Sequence, residues 1–448
     1  MSRLNAPKHA LSTHEGGEGF LLSPLEQLQR TVMSCMLWEN NFYEDGQSVA
    51  DRIVEYAGKV TRDELIVTAI TARNNMHLRH VPLLLLSVLA DKHRGSGDVA
   101  EAFPHVIQRA DELAEFLAVY TNYKKQPIGD CITHGIRKGL ANAIHNFNAY
   151  NLAKYNRAGS FKLRDVIRLA HPRATDKQEA DTFSAILKGT LKSPDTWEVA
   201  LSSGKDKKET FERLLREGQL GYLALLRNRR GMTNAGVDTV LINKAILARK
   251  GAERVLPFRY VAAWRAAPQF SYALNQAMLD ALQDMPAWEG LTAILVDVSG
   301  SMEAPLSAKS DLSRMDAAAA LAILVPGKSV IYTFSMSCVR VGDVHLRNDR
   351  GLAEIEPIIR SQGHGGTYLS QALETLRRQG PFHRLVLITD EQASWGDYPA
   401  IARHSYCINV GVYKNGIGYG EGWVHINGWS EHVLRFIAEH EKSLLTHS

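Results

Sequence analysis

The sequence predicts two fold classes in one chain: an α-solenoid of stacked antiparallel helix pairs over residues 1–286, and a doubly wound α/β domain over residues 287–448. Three observations predict it. Up to about residue 286 apolar residues recur at intervals of three and four, as in Val106, Ile107, Ala110, Leu113, Ala114 and Leu117. After Pro286 continuous apolar runs of strand length alternate with helix-like stretches. Loops rich in Gly, Ser, Thr and Asp follow those runs, which is where open α/β sheets bind ligands.

Taken in order, helical segments are expected at about 20–38, 48–59, 62–73, 82–93, 105–120, 133–156, 161–171, 176–190, 207–217, 219–228, 237–249 and 269–284. Two starts are marked by capping boxes, Ser23-Pro24-Leu25-Glu26 and Thr61-Arg62-Asp63-Glu64, whose hydroxyl and carboxylate satisfy free amides. Short helices joined by short turns point to a solenoid of HEAT type; without a clean sequence repeat, a globular helical bundle stands as the alternative. In the second part, Thr292 to Val298, Val330 to Phe334, Leu385 to Thr389 and Tyr406 to Val412 read as buried parallel strands. Met315 to Leu324, Leu352 to Arg360 and Ser370 to Arg378 read as the helices between them.

Composition narrows the function. Of 448 residues 45% are hydrophobic and 22% charged, with 34 Gly and 15 Pro, which excludes disordered and collagen-like chains. No apolar run approaches the roughly 20 residues that cross a bilayer, and Met1 to Gly19 lacks the apolar stretch of a secretory signal. The four cysteines, Cys35, Cys131, Cys338 and Cys407, show no CxxC spacing, so a reducing cytoplasm is the expected location and no membrane is involved. The net charge of +4 is unevenly spread: residues 120–265 hold 27 Lys+Arg against 13 Asp+Glu, while the flanking parts are acidic. Such a basic middle third is the footprint of a polyanion partner.

The sharpest local signal is Asp297-Val298-Ser299-Gly300-Ser301 at the end of the first expected strand. A carboxylate and two hydroxyls at alternate positions of a turning loop can converge on a hard cation such as Mg²⁺, which takes about six oxygen ligands. Thr367 after Gly365-Gly366, and Asp390 closing the strand Leu385 to Thr389, supply matching oxygens. Catalytic motifs are missing. Gly327-Lys328-Ser329 lacks the first glycine of a phosphate loop, position 322 being Ala, and there is no GxSxG or HExxH. No general base accompanies the metal-site acids, so the chain is expected not to be an enzyme.

At these residues the second part resembles the von Willebrand factor A fold with its metal ion-dependent adhesion site. That resemblance implies direct ligation by Ser299, Ser301 and Thr367, with Asp297 and Asp390 acting largely through bound waters. In the first part, Lys154-Tyr155-Asn156-Arg157-Ala158-Gly159 followed by Asp165-Val166-Ile167-Arg168-Leu169-Ala170-His171-Pro172 resembles a segment of the Ro (TROVE) family. Leu225-Leu226-Arg227-Asn228 with Met232 is similar to a second one, with Arg229 and Gly231 departing from it, and Glu15-Gly16-Gly17 fits the family's start.

The resemblance implies a ring of HEAT-like repeats that binds Y-like small noncoding RNA on its outer surface. It implies a central hole taking single-stranded 3′ ends of misfolded or decaying RNA, and an exoribonuclease partner. Lys154, Arg168 and His171 match the family's RNA-contacting positions, Arg157 lies one place from such a position, and Tyr155 adds a flat face for a base. Arg229 and Arg230, with Arg227, form a basic run beside an expected turn at Gly231, from which at least one is expected to face the hole. At the metal site a carboxylate from a protein ligand is expected to complete the coordination. The alternative function is a von Willebrand A adaptor on a helical scaffold; a metal-dependent nuclease is the third reading.

Overall fold

In the computed structural model, the described residues are 12–19, 22–37, 43–156, 159–192, 197–202, 204–283, 285–306, 310–345, 350–394, 396–418 and 420–446. Helices run to the turn Asp280–Leu282 and the first strand opens at Thr292. The chain forms two compact units, Ala50–Leu220 on one side and Met1–Val49 with Gly221–Ser448 on the other. The switch in secondary structure near residue 286 therefore lies inside the second unit.

In the unit Ala50–Leu220, helix Arg62–Asn74 packs on Val81–Lys92, which packs in turn on Ala110–Lys124. The Thr61 box forms as read, its hydroxyl accepting from the Glu64 amide while the Glu64 carboxylate accepts from the Thr61 N–H. Two expectations fail here for local reasons. Residues 105–120 are not one helix: Gly97–Val106 closes at extended Ile107, and Ala110–Lys124 restarts after extended Arg109. The first helix tolerates Pro104 in its last turn. Residues 133–156 also divide, because Phe147 is extended and the Asn148 side chain caps a new helix, Ala149–Tyr155.

The other unit is built on a six-stranded sheet of β1 (Thr292–Asp297), β2 (Ser329–Phe334), β3 (Cys338–His345), β4 (Arg384–Thr389), β5 (His404–Asn409) and β6 (Trp423–Asn427), in the order β3-β2-β1-β4-β5-β6. Only β3 is antiparallel. The order reverses about β1, so the loops after β1 and β4 open the crevice typical of doubly wound sheets. Every residue of β1, β2 and β4 is buried. Helices Phe258–Ala266 and Ser271–Leu279 belong to this unit, tied to it by Arg265, whose guanidinium meets Asp316 at 2.8 Å and Glu356 at 2.6 Å.

The N-terminal segment joins the same unit. Thr13 Oγ1 donates to Ala393 O at 2.7 Å, and Gly16 bridges Ser394. A Cβ on Gly17 would come within 2.5 Å of Ala393 O, so the close approach requires glycine there. Helix Pro24–Val32 places Arg30, fully buried, against the loop after β4.

Candidate functional site

β1 and β4 are parallel neighbours in register, Val296 beside Ile388, so their ends deliver Asp297 and Asp390 to one edge. After Asp297 the chain passes extended Ser299 and turns through Gly300–Glu303. Gly300 permits the loop carrying Thr367 to close in, since a Cβ there would lie 3.2 Å from His364 O. The His364 ring fixes the approach with Nδ1 2.6 Å from Val298 O. All five expected ligands, Asp297, Ser299, Ser301, Thr367 and Asp390, are buried at 4% exposure or less.

Hydrogen bonds order the set. Asp297 Oδ1 accepts from Ser299 N at 2.9 Å and Oδ2 from Thr389 Oγ1 at 2.5 Å, while Ser299 and Ser301 hydroxyls stand 3.4 Å apart. Both Asp297 oxygens are thus engaged by the protein. Asp390 differs. Its Oδ1 accepts from Gln392 N at 3.1 Å, but buried Oδ2 has no well-formed hydrogen bond among the described residues and ends 3.9 Å from Arg314.

Burial, then the charge of Asp390, pushes the Asp297 carboxyl up from the usual range. Burial also raises Asp390, against the opposing pull of Arg314 and Ser301. Two buried acids that repel each other, an orphaned carboxylate oxygen and three hydroxyls form a donor set that fits a hard divalent cation. The same residues could hold Mg²⁺.

Sequence reasoning missed the groups that frame this site, because they come from distant segments. Arg314 opens helix Arg314–Leu324 and also donates to Tyr413 Oη at 2.9 Å; the Ser313/Asp316 capping box is the sequence signal that would have located that helix start. Glu391, next to Asp390, pairs with Arg30 and also meets the His425 ring.

The expected RNA-contacting residues fall differently. Lys154 and Tyr155 end helix Ala149–Tyr155, and Arg168 lies on Leu163–Ala170; both helices pack on Ala110–Lys124. Lys154 Nζ stands 5.6 Å from the Tyr155 ring centre, whose other close cation is the Arg109 guanidinium at 4.8 Å. Arg168 and His171 are exposed. They do not share a helix face as their spacing suggests, since His171 is the C-cap at φ 49°, ψ 53°, and the left-handed turn redirects its ring. Arg157 lies outside the described residues.

The structure corrects the turn at Gly231 and the placement of Arg229. Gly231 is no turn: helix Tyr222–Asn234 runs through it and stops only before Gly236 at φ 72°. On that helix Arg230 is exposed but Arg229 is 1% exposed, its Nε donating to Leu226 O at 3.0 Å. Burial lowers the Arg229 guanidinium to about 10, and its Nη1 has no hydrogen-bond partner among the described residues. A solvent-facing role for Arg229 is ruled out by that placement.

Known proteins supply the remaining comparison. The TROVE domain family matches residues 187–277, a stretch that includes Leu225-Leu226-Arg227-Asn228 and ends before the sheet. No curated protein matches the chain. Among solved structures, the Ro (RSR) protein of Deinococcus radiodurans aligns over 94% of this chain and 100% of its own, at 16% identity and TM-score 0.57. A conserved hypothetical protein, BatB, of Bacteroides thetaiotaomicron covers 35% of this chain and 100% of its own, at 12% identity and TM-score 0.24. An aerotolerance-related membrane protein of Bacteroides fragilis covers 34% and 87%, at 18% identity and TM-score 0.22. The chain shares the fold of the Deinococcus protein, helical part and sheet domain together.

Proposed function

We propose that this chain, which carries a TROVE segment on a Ro-type fold, is a Ro-family RNA-binding protein. The observation that carries the reading is the overlap of the TROVE match at residues 187–277 with the basic third of the sequence, where 27 Lys+Arg stand against 13 Asp+Glu over residues 120–265. Phosphate neutralisation by Lys and Arg supplies affinity; exposed His and half-buried Tyr side chains supply flat faces for unpaired bases. The finer reading is a Y-like small noncoding RNA held by Lys154, Arg168 and His171, with single-stranded 3′ ends of misfolded RNA as a second ligand near Arg230.

The sheet domain acts in this reading as a binding module. Ser299, Ser301 and Thr367, with Asp297 and Asp390, would hold Mg²⁺, which would supply an electrophilic position for a carboxylate of a protein partner. Ser299 and Ser301 orient hydroxyls toward that position, and Asp297 and Asp390 balance the charge. The adaptor activity is thereby part of the same protein rather than a rival to RNA binding.

Sequencing of RNA that copurifies with the full chain tests the proposal. Enrichment of one or a few small structured RNAs, lost in Lys154→Ala with Arg168→Ala, is the expected result. Copurification of no RNA, or of an unselected sample unaffected by those substitutions, overturns it.

A further inference from the structure

The sheet has a second chemical edge. His383 immediately precedes β4 and His404 begins β5, two strands paired in parallel with Arg384 beside His404. Both imidazoles therefore stand at the strand starts, at the edge opposite Asp297 and Asp390. Glu441, from helix His432–Thr446, reaches the same point. One ligand atom from each of His383, His404 and Glu441 lies within 4.8 Å of the others.

We propose that His383, His404 and Glu441 form a binding site for a zinc ion, separate from the magnesium site at the other end of the strands. Two imidazoles and one carboxylate are a donor set that zinc accepts in four-coordinate form, with water in the fourth place. Tetrahedral zinc at about 2.0–2.1 Å from each ligand holds them roughly 3.4 Å apart, so the three side chains close by small rotations. Hard cations such as Mg²⁺ prefer all-oxygen surroundings, which separates the two sites by chemistry as well as by place.

The site is built rather than incidental. A Cβ on Gly290, at φ 75°, would fall 2.5 Å from His383 Cβ, so glycine at that turn is what seats the imidazole. The His383 amide donates to Leu291 O at 2.9 Å, fixing the backbone beneath the ring. The two imidazole planes are tilted by 49° with centres 5.2 Å apart, and no ring nitrogen of either forms a hydrogen bond among the described residues.

Glu441 is held from behind. Arg384 Nε donates to its Oε1 at 2.5 Å, a second guanidinium nitrogen meets Oε2, and Tyr406 Oη donates to Oε1 at 3.1 Å. Carboxylates that ligate metals are oriented by outer partners of this kind. The Arg384 charge is balanced by Glu441.

The test uses the full chain stripped by a chelator, resupplied with saturating Mg²⁺ and titrated with Zn²⁺ by calorimetry and elemental analysis. One zinc per chain is expected. His383→Gln and His404→Gln should each weaken it by about 100-fold or more, Tyr406→Phe by about 10-fold, and Asp297→Ala not at all. Zinc binding that is absent, or undiminished in both histidine variants, overturns the proposal. Should a variant fail to fold, Co²⁺ added to the unaltered chain decides: four-coordinate visible absorption supports the site, and an octahedral spectrum alone overturns it.

Discussion

Arg30 and Glu391 form an ion pair at 2.6 Å with both side chains fully buried, 361 residues apart in sequence. Arg30 also donates from Nε to Tyr413 O at 2.7 Å and from Nη2 to Asn415 O at 3.1 Å. The guanidinium thereby holds together the loops that follow β4 and β5. Glu391 also meets the His425 ring and accepts from Gly418 N at 3.0 Å.

Removing one partner strands the other. Arg30→Ala should cost about 3–5 kcal/mol of stability, because a buried carboxylate loses its main counter-charge. Arg30→Ala with Glu391→Gln should recover part of that loss. Chemical denaturation of both variants beside the parent is the measurement.

The same pair sets an acid limit. Burial alone would raise the Glu391 carboxyl, but Arg30 and His425 outweigh it and hold the group well below the usual carboxylate range. A depressed acid stabilises the fold above its unfolded value and loses that contribution as pH falls toward its folded one. Melting temperature should therefore decline as pH drops below about 4.5, and Glu391→Gln should flatten that decline.

Asp297 and Asp390 run the opposite way. Their raised pKa values mean that the folded, metal-free chain binds more protons than the unfolded chain, so stability falls as pH climbs above the usual carboxylate range. Saturating Mg²⁺ should remove the fall, giving a melting-temperature gain that grows with pH. Asp390→Asn should reduce the pH slope, leaving the part that burial of Asp297 supplies, and abolish the metal-dependent gain. A metal-independent slope would separate these acids from cation binding.

His171 offers a trade between folding and binding. A non-glycine residue at φ 49° carries left-handed strain of roughly 1 kcal/mol, which His171→Gly relieves. The variant should melt no lower than the parent yet bind structured RNA more weakly. Lys154→Ala with Arg168→Ala should instead flatten the salt dependence of RNA affinity by roughly 0.7–0.9 units per lost phosphate contact.

Arg229 gives a control inside one helix. Arg229→Leu replaces an under-satisfied buried guanidinium with an apolar side chain and should leave stability unchanged or improved, without loss of RNA. Arg230→Ala, one position on and exposed, should leave stability unchanged and weaken single-stranded tails. Equal RNA losses in both variants would contradict the assignment.

What the sequence made legible follows burial. β1, β2, β4 and β5 were readable because strands covered on both faces are continuous apolar runs. The edge strands β3 and β6 were not: Cys338–His345 and Trp423–Asn427 are half exposed and carry Arg340, Asp343 and His425 within them. Helices Gly97–Val106, Trp197–Ser202, Phe258–Ala266 and His432–Thr446 also escaped notice, the first because Pro104 reads as a stop. The metal-site residues announced themselves by short spacing at strand ends, whereas His383 and His404 meet only through the sheet's parallel register, and Arg30 reaches Glu391 only because helix Pro24–Val32 docks on the loop after β4.

The joining of the chain's start to its last third imposes an order on synthesis. Thr13, Arg30 and Ser34 bond to Ala393, Glu391 and Asn409 respectively, so their partners leave the ribosome only after nearly 400 residues have been translated. Until then helix Pro24–Val32 exposes Leu28 and Val32, which are fully buried in the finished protein. A helix made early is among the last to be housed, and translation pauses before residue 391 prolong its exposure to chaperones and proteases.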